Sequence, residues 1–152
     1  MRESEFKELI CEVGRRCWKR GYVAANDGNI SVRVGENRVL STPTGVSKGF
    51  MKPGDIVTLD MSGNQIEGDL KLTSEIRLHL SAYQERTDVK AVFHAHPPYA
   101  TAFAVLQEPV PKCVLVESEF SLGEIPIAHY ETPGTWDFAN TIKGLLKDFN
   151  AF

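Results

Sequence analysis

The chain has 152 residues, enough for one domain with a core of ordinary size. Charged residues make up 24% and hydrophobic residues 42%, a balance that excludes a disordered chain. The formal net charge of −3 and the lack of any Lys/Arg block exclude nucleic acid as the main partner, but leave room for a small anion in a locally positive pocket.

Phe6, Leu9, Ile10, Val13 and Cys17 recur at helical spacing, which predicts an amphipathic first helix stopped by Gly21. Asn26-Asp27-Gly28-Asn29 is built for a tight turn. Ile30, Val32 and Val34 alternate with polar residues as in a half-buried strand, and Gly35-Glu36-Asn37 returns the chain through 38–41 as a hairpin. A loop at Thr42-Pro43-Thr44-Gly45 and a turn at Pro53-Gly54 precede a strand over 55–60, which Ser62-Gly63-Asn64 folds back on 65–67. Residues 73–86 read as a helix with Ile76, Leu80 and Tyr83 on one stripe, and 90–96 as a strand. Pro97-Pro98 ends that strand and opens a helix over 99–106. Residues 114–116 and 125–128 are further strand candidates. Pro133-Gly134 breaks the chain before a last helix carrying Phe138, Ile142, Leu145 and Leu146. Interleaved helices and hairpins predict a single mixed α/β layer structure over 1–152, with no repeat or linker.

The first residues lack the basic-then-apolar order of a signal peptide, and no apolar run is long enough to span a bilayer. The three cysteines, Cys11, Cys17 and Cys113, have no metal spacing and cannot all pair; they read as free thiols in a core, which suits a cytoplasmic protein.

Residues two apart on a strand share a face, so His94 and His96 project together and could ligate one Zn²⁺. The plainer alternative is two ordinary histidines at a strand end. Glu75 opens the helix after Leu72-Thr73-Ser74. It could merely complement the helix dipole, worth about 0.5 kcal/mol, or act beside a metal as a general base. Three loops, at Gly28-Asn29, Thr44-Gly45 and Thr73-Ser74, offer backbone N–H groups and little bulk. If they meet they make a phosphate cradle; otherwise they are three turns. His79 shares a helix face with Glu75 and could orient it, but reads more simply as a packing residue. Lys48 reads as a solvated loop charge rather than a phosphate contact, and His129 as a structural histidine with a spare imidazole.

Asn26-Asp27-Gly28-Asn29-Ile30-Ser31, Ser41-Thr42-Pro43-Thr44-Gly45, Thr73-Ser74-Glu75 and His94-Ala95-His96-Pro97 occur in that order, followed by Leu122-Gly123-Glu124-Ile125-Pro126 and Tyr130-Glu131-Thr132-Pro133-Gly134-Thr135. The ordered set covers nearly the whole chain and resembles the class II aldolase/adducin head family. The resemblance implies a three-layer α/β/α fold around a central, mainly antiparallel sheet, assembled as a homotetramer. It implies one Zn²⁺ per subunit held by His94, His96 and a third histidine, with Glu75 as ligand or acid/base. Gly28, Asn29, Thr44, Gly45, Thr73 and Ser74 would bind the phosphate of a sugar-phosphate substrate. The implied activity is cleavage of a phosphorylated ketose to dihydroxyacetone phosphate and an aldehyde. A pentulose-phosphate 4-epimerase would use the same retro-aldol chemistry, and an adducin-like scaffold would use none, though it would not need His94, His96 and Glu75. Two departures stand out. The family's third zinc histidine follows the helix that here ends near Lys147, so the chain is expected to lack a C-terminal portion. Near Leu115, where the family's best-known enzyme has a tyrosine, the sequence reads Val114-Leu115-Val116-Glu117-Ser118.

Overall fold

A computed structural model describes all residues, Met1–Phe152. Helix α1 spans Glu3–Lys19, with Glu3 and Glu5 in its first turn and Arg16 and Lys19 in its last, each complementing the helix dipole. It ends as expected: Arg20 caps it and Gly21 takes φ +71° to turn the chain away.

Strands β1 (Asn29–Gly35), β2 (Arg38–Ser41), β3 (Val57–Leu59), β4 (Gln65–Glu67) and β5 (Ala91–His94) form one sheet in the order β4-β3-β2-β1-β5. Every pairing is antiparallel, which agrees with the expected sheet. Helix α2 runs Ile76–Glu85. Neighbouring strand residues point to opposite faces. Leu40 packs with Ile10, Cys11, Ile30, Met51 and Ile56, on the side of α1. Val39 packs with Leu59, Ile76, Leu80 and Tyr83, on the side of α2. The polar side of β1 is therefore not solvent-facing; it lies under α2, and Ser31 there is fully buried.

Arg33 fastens this arrangement. Its guanidinium donates to the carbonyls of Tyr83 (2.9 Å), Arg86 (3.1 Å), Thr87 (2.8 Å) and Val89 (2.6 Å), and its charge lies over the Tyr83 ring. It thus supplies donors to carbonyls at the end of α2 and in the turn into β5, the Thr87 carbonyl being shared with Lys90 Nζ at 3.3 Å. Arg33→Leu is expected to lower unfolding stability by about 2–3 kcal/mol, seen as a lower urea midpoint at unchanged slope. An unchanged midpoint would show that solvent replaces the four bonds without loss.

The region after β5 departs from expectation. Residues 116–121 form a short helix, α4 (Val116–Ser121), because the Leu115 carbonyl accepts from the N–H groups of Ser118 and Glu119. Residues 125–128 form no strand. Short apolar runs do not distinguish helix from strand, and neither candidate finds a sheet edge to pair with. Helix α3 (Pro98–Leu106) is apolar yet buries no residue. Tyr99 on this helix is 87% exposed and Phe120 on α4 is 95% exposed. The last helix, α5 (Trp136–Thr141), is shorter than expected and continues through a 3-10 turn at Leu145–Lys147. Ile142 and Leu146 pack on Ala82 of α2. Cys11 is buried, but Cys17 is only half-buried and Cys113 is exposed, so the reading of all three as core residues is corrected. No helix is long and apolar enough to cross a membrane.

Candidate active site

The register of β1 and β5 sets Asn29 directly opposite His94. Paired residues share a face, and here it is the face under α2, whose N-cap residue is Glu75. Three elements thereby deliver three side chains to one point. Glu75 Oε2 accepts from Asn29 Nδ2 at 2.5 Å and from His94 Nδ1 at 2.7 Å. Glu75 Oε1 accepts no hydrogen bond from the protein. The strand ends at His94, two residues earlier than expected, because the His96 N–H donates to the Tyr22 carbonyl (2.8 Å) instead of a strand partner. The rings of His94 and His96 still lie side by side, with centroids 4.8 Å apart.

Gly28 is required where the loop meets β5. It has φ +71°, and a Cβ there would come within 2.6 Å of Val23 Cγ1 and 2.7 Å of the His94 carbonyl. Only a residue without a side chain lets the loop lie this close to the strand carrying the histidine.

The hydrogen bond from His94 is the main cause drawing the Glu75 carboxyl down from 4.5 to about 2, against the effect of burial. His79 is fully buried, and desolvation drives its imidazole from 6.5 down to about 3. Both shifts act on stability in the same direction. Between about pH 6.5 and 3 the unfolded chain binds a proton at His79 that the folded chain does not, so this stability is lost as pH falls through that window. The Glu75 contribution is complete above about pH 4.5 and is lost as pH falls toward 2. Urea midpoints are therefore expected to decline below about pH 6.5 and more steeply below about 4.5. His79→Gln should flatten the first part of that decline. A midpoint that stays level down to about pH 5 would contradict the assignment.

The three loops proposed as a cradle are neighbours. Thr42 joins the start of β1, its N–H donating to the Ile30 carbonyl (2.9 Å) and its Oγ1 accepting from the Ile30 N–H (3.1 Å). Pro43 bridges to Leu72, and the Thr44 N–H donates to the Lys71 carbonyl at 2.9 Å. Glu75, two residues beyond Thr73, reaches Asn29 as described. Thr44, Gly45 and Ser74 are exposed, Gly28 is half-buried, and Asn29 and Thr73 are buried. The Asn29 carboxamide is already engaged by Glu75 and His79.

Lys48 corrects the sequence reading. It is not a solvated charge but is 2% exposed, with Nζ donating to the carbonyls of Asn26 (3.0 Å) and Val46 (2.9 Å). It ties the loop before Gly28 to the loop after Gly45, and burial pushes its ammonium down. Sequence reasoning also missed Ser31, whose Oγ meets His79 Nδ1 (2.6 Å) and the Tyr83 hydroxyl (2.7 Å). His129 is exposed.

Glu75, His94 and His96 do not form a three-point ligand set as they stand, and no three His, Cys, Asp or Glu side chains are so grouped. The donors do fit a divalent cation in kind. His94 Nε2 and both ring nitrogens of His96 have no protein partner, and the carboxylate on His94 Nδ1 orients that ring as outer-shell carboxylates do in zinc sites.

Residues 8–152 match the family described as Class II Aldolase and Adducin N-terminal domain. The chain is 36% identical over 137 residues to an L-fuculose phosphate aldolase of Methanococcus maripaludis, spanning 90% of this chain and 74% of that protein. It is 34% identical over 150 residues to a 3-oxo-tetronate 4-phosphate decarboxylase of Haemophilus influenzae, spanning 96% and 71%. A solved L-fuculose 1-phosphate aldolase superposes with a TM-score of 0.88 at 31% identity, over 98% of this chain and 70% of the other. Motif order, sheet and sequence agree, and the chain belongs to the class II aldolase and adducin N-terminal domain family.

Proposed function

We propose that the chain is the catalytic domain of a metal-dependent aldolase that cleaves a phosphorylated ketose to dihydroxyacetone phosphate and an aldehyde. The observation that carries this reading is an ionised, half-buried carboxylate fixed through one oxygen, with the other free, beside two imidazoles. His94 and His96 would hold Zn²⁺ or a similar ion, with Glu75 as a further ligand or as the group that orients His94. Such an ion would polarise the carbonyl next to the bond that breaks.

The remaining work falls to the protein. The backbone of Gly28–Asn29, Thr44–Gly45 and Thr73–Ser74 binds the phosphate, and Lys48 holds two of these loops together. Glu75 moves the proton at Oε1. It accepts the proton released as the hydroxyl of the departing half becomes a carbonyl. The electron pair of the broken carbon–carbon bond stays with the phosphorylated half as an enediolate. Returning the proton to carbon completes dihydroxyacetone phosphate, and Glu75 is again ionised.

The likeness to a decarboxylase favours a second reading, in which carbon dioxide leaves in place of an aldehyde and the same enediolate is protonated. Product analysis separates them. Incubation with L-fuculose 1-phosphate and with 3-oxo-tetronate 4-phosphate should release dihydroxyacetone phosphate and an aldehyde from the first. Carbon dioxide from the second alone would overturn the aldolase reading in favour of the decarboxylase. Turnover of neither would overturn both.

A further inference from the structure

The buried groups beneath Glu75 form an unbroken chain of side chains: Tyr83 hydroxyl, Ser31 Oγ, His79, Asn29, Glu75. Each link is short. Tyr83 meets Ser31 at 2.7 Å, Ser31 meets His79 Nδ1 at 2.6 Å, His79 Nε2 meets Asn29 Oδ1 at 2.5 Å, and Asn29 Nδ2 meets Glu75 at 2.5 Å. Ser31 and His79 are fully buried, Tyr83 is 1% and Asn29 4% exposed, so water does not substitute for a missing partner.

Donor and acceptor roles leave one solution. A carboxylate only accepts, so the Asn29 NH₂ faces Glu75 and its carbonyl oxygen faces His79. A carbonyl only accepts, so His79 carries its proton on Nε2. Its Nδ1 is then bare and accepts from the Ser31 hydroxyl, which in turn accepts from Tyr83. An imidazolium could donate from Nδ1 to the Ser31 oxygen, but it would be a charge buried without a direct counter-ion, and desolvation excludes it. Turning any one member round leaves two donors or two acceptors facing each other in a dry site, so the polarity holds from end to end.

We propose that His79 is a positioning residue for the reaction, whose fixed tautomer locks the Asn29 carboxamide in the orientation that aims its NH₂ at Glu75. This rests on the aldolase reading for its kinetic consequence but not for its geometry. The carboxamide links buried His79 directly to the reactive carboxylate. A flipped Asn29 would set its oxygen against Glu75 and push the carboxylate out of register with His94. His79 touches no reacting atom and acts wholly through Asn29.

Imidazole ¹⁵N spectra of the full chain at neutral pH test the core of the proposal without any variant. The expected result is His79 with a protonated Nε2 and a bare Nδ1; the opposite tautomer or an imidazolium would overturn it. In His79→Leu the Asn29 side-chain amide protons should exchange faster than in the wild type. His79→Gln, whose NH₂ can reach the place of the Nε2–H, should restore the slow exchange. Unaltered exchange in both variants would overturn the proposal. In aldolase assays His79→Leu should lower kcat about 10- to 100-fold at little-changed KM, and His79→Gln should recover most of it. Asn29→Ala and Asn29→Ala/His79→Leu should have the same kcat, because removing Asn29 removes the route by which His79 acts. A further fall in the double variant would show that His79 supports activity by some other path. Should the wild type cleave no sugar phosphate, the functional reading fails alone, and the tautomer and exchange measurements still decide the proposal.

Discussion

Glu75→Gln is expected to lower kcat for sugar-phosphate cleavage by about 10²- to 10⁴-fold while leaving the fold intact. Glutamine has the same shape, and its side-chain oxygen can still accept from Asn29. It lacks the charge that His94 Nδ1 donates to, and it cannot take and return a proton at the position of Oε1. Circular dichroism should stay close to wild type, while the neutral-pH urea midpoint should fall, because the stability tied to the ionised carboxylate is lost with it. KM should move far less than kcat, since in the proposed reading the phosphate is held by backbone N–H groups of other residues. A variant that retains wild-type kcat would remove Glu75 from the chemistry and leave it the role of tethering Asn29 and His94.

His94→Ala/His96→Ala is expected to abolish binding of Zn²⁺, measured as metal content after dialysis and as affinity by titration. Loss of an outer-shell partner costs about 10- to 100-fold in affinity, and removing two imidazoles that would contact the ion directly should cost more. Activity should vanish with the metal and should not return on adding excess Zn²⁺. His96 is exposed and His94 only half-buried, so the double variant should fold. If the double variant bound metal as tightly as the wild type, the histidine pair would be an ordinary strand end and the carboxylate would need another electrophilic partner.

The parts of this site that were legible in the sequence are those set by local periodicity. His94 and His96 are two apart at the end of a strand run, Glu75 opens a helical stripe, and Gly28 sits in a turn sequence; each reading depends on a few adjacent residues. What was illegible depends on contacts across the fold. Ser31 alternates with Ile30 and Val32, and that pattern reads as a polar residue facing water. The face is in fact closed by α2, and Ser31 becomes the buried partner of His79. Lys48 lies among glycines in a loop, where lysine is ordinarily solvated; two backbone carbonyls 22 and two residues away hold it inside. Residues 114–128 failed for a different reason. Their apolar runs are too short for periodicity to separate helix from strand, and no neighbouring element settled the choice.

The bare apolar surface of α3 and α4 bears on how this protein should be handled. Wherever no second chain covers Tyr99 and Phe120, a fluorescent apolar dye should find purchase on the native chain itself. A dye-based melting scan will then begin from a bright baseline, and its rise on heating will be shallow or inverted. A sample judged by dye uptake alone would be mistaken for a loosened, partly folded state although its tertiary packing is intact. Near-ultraviolet dichroism, which reports the packed Tyr83, is the readout to rely on when variants of this chain are ranked.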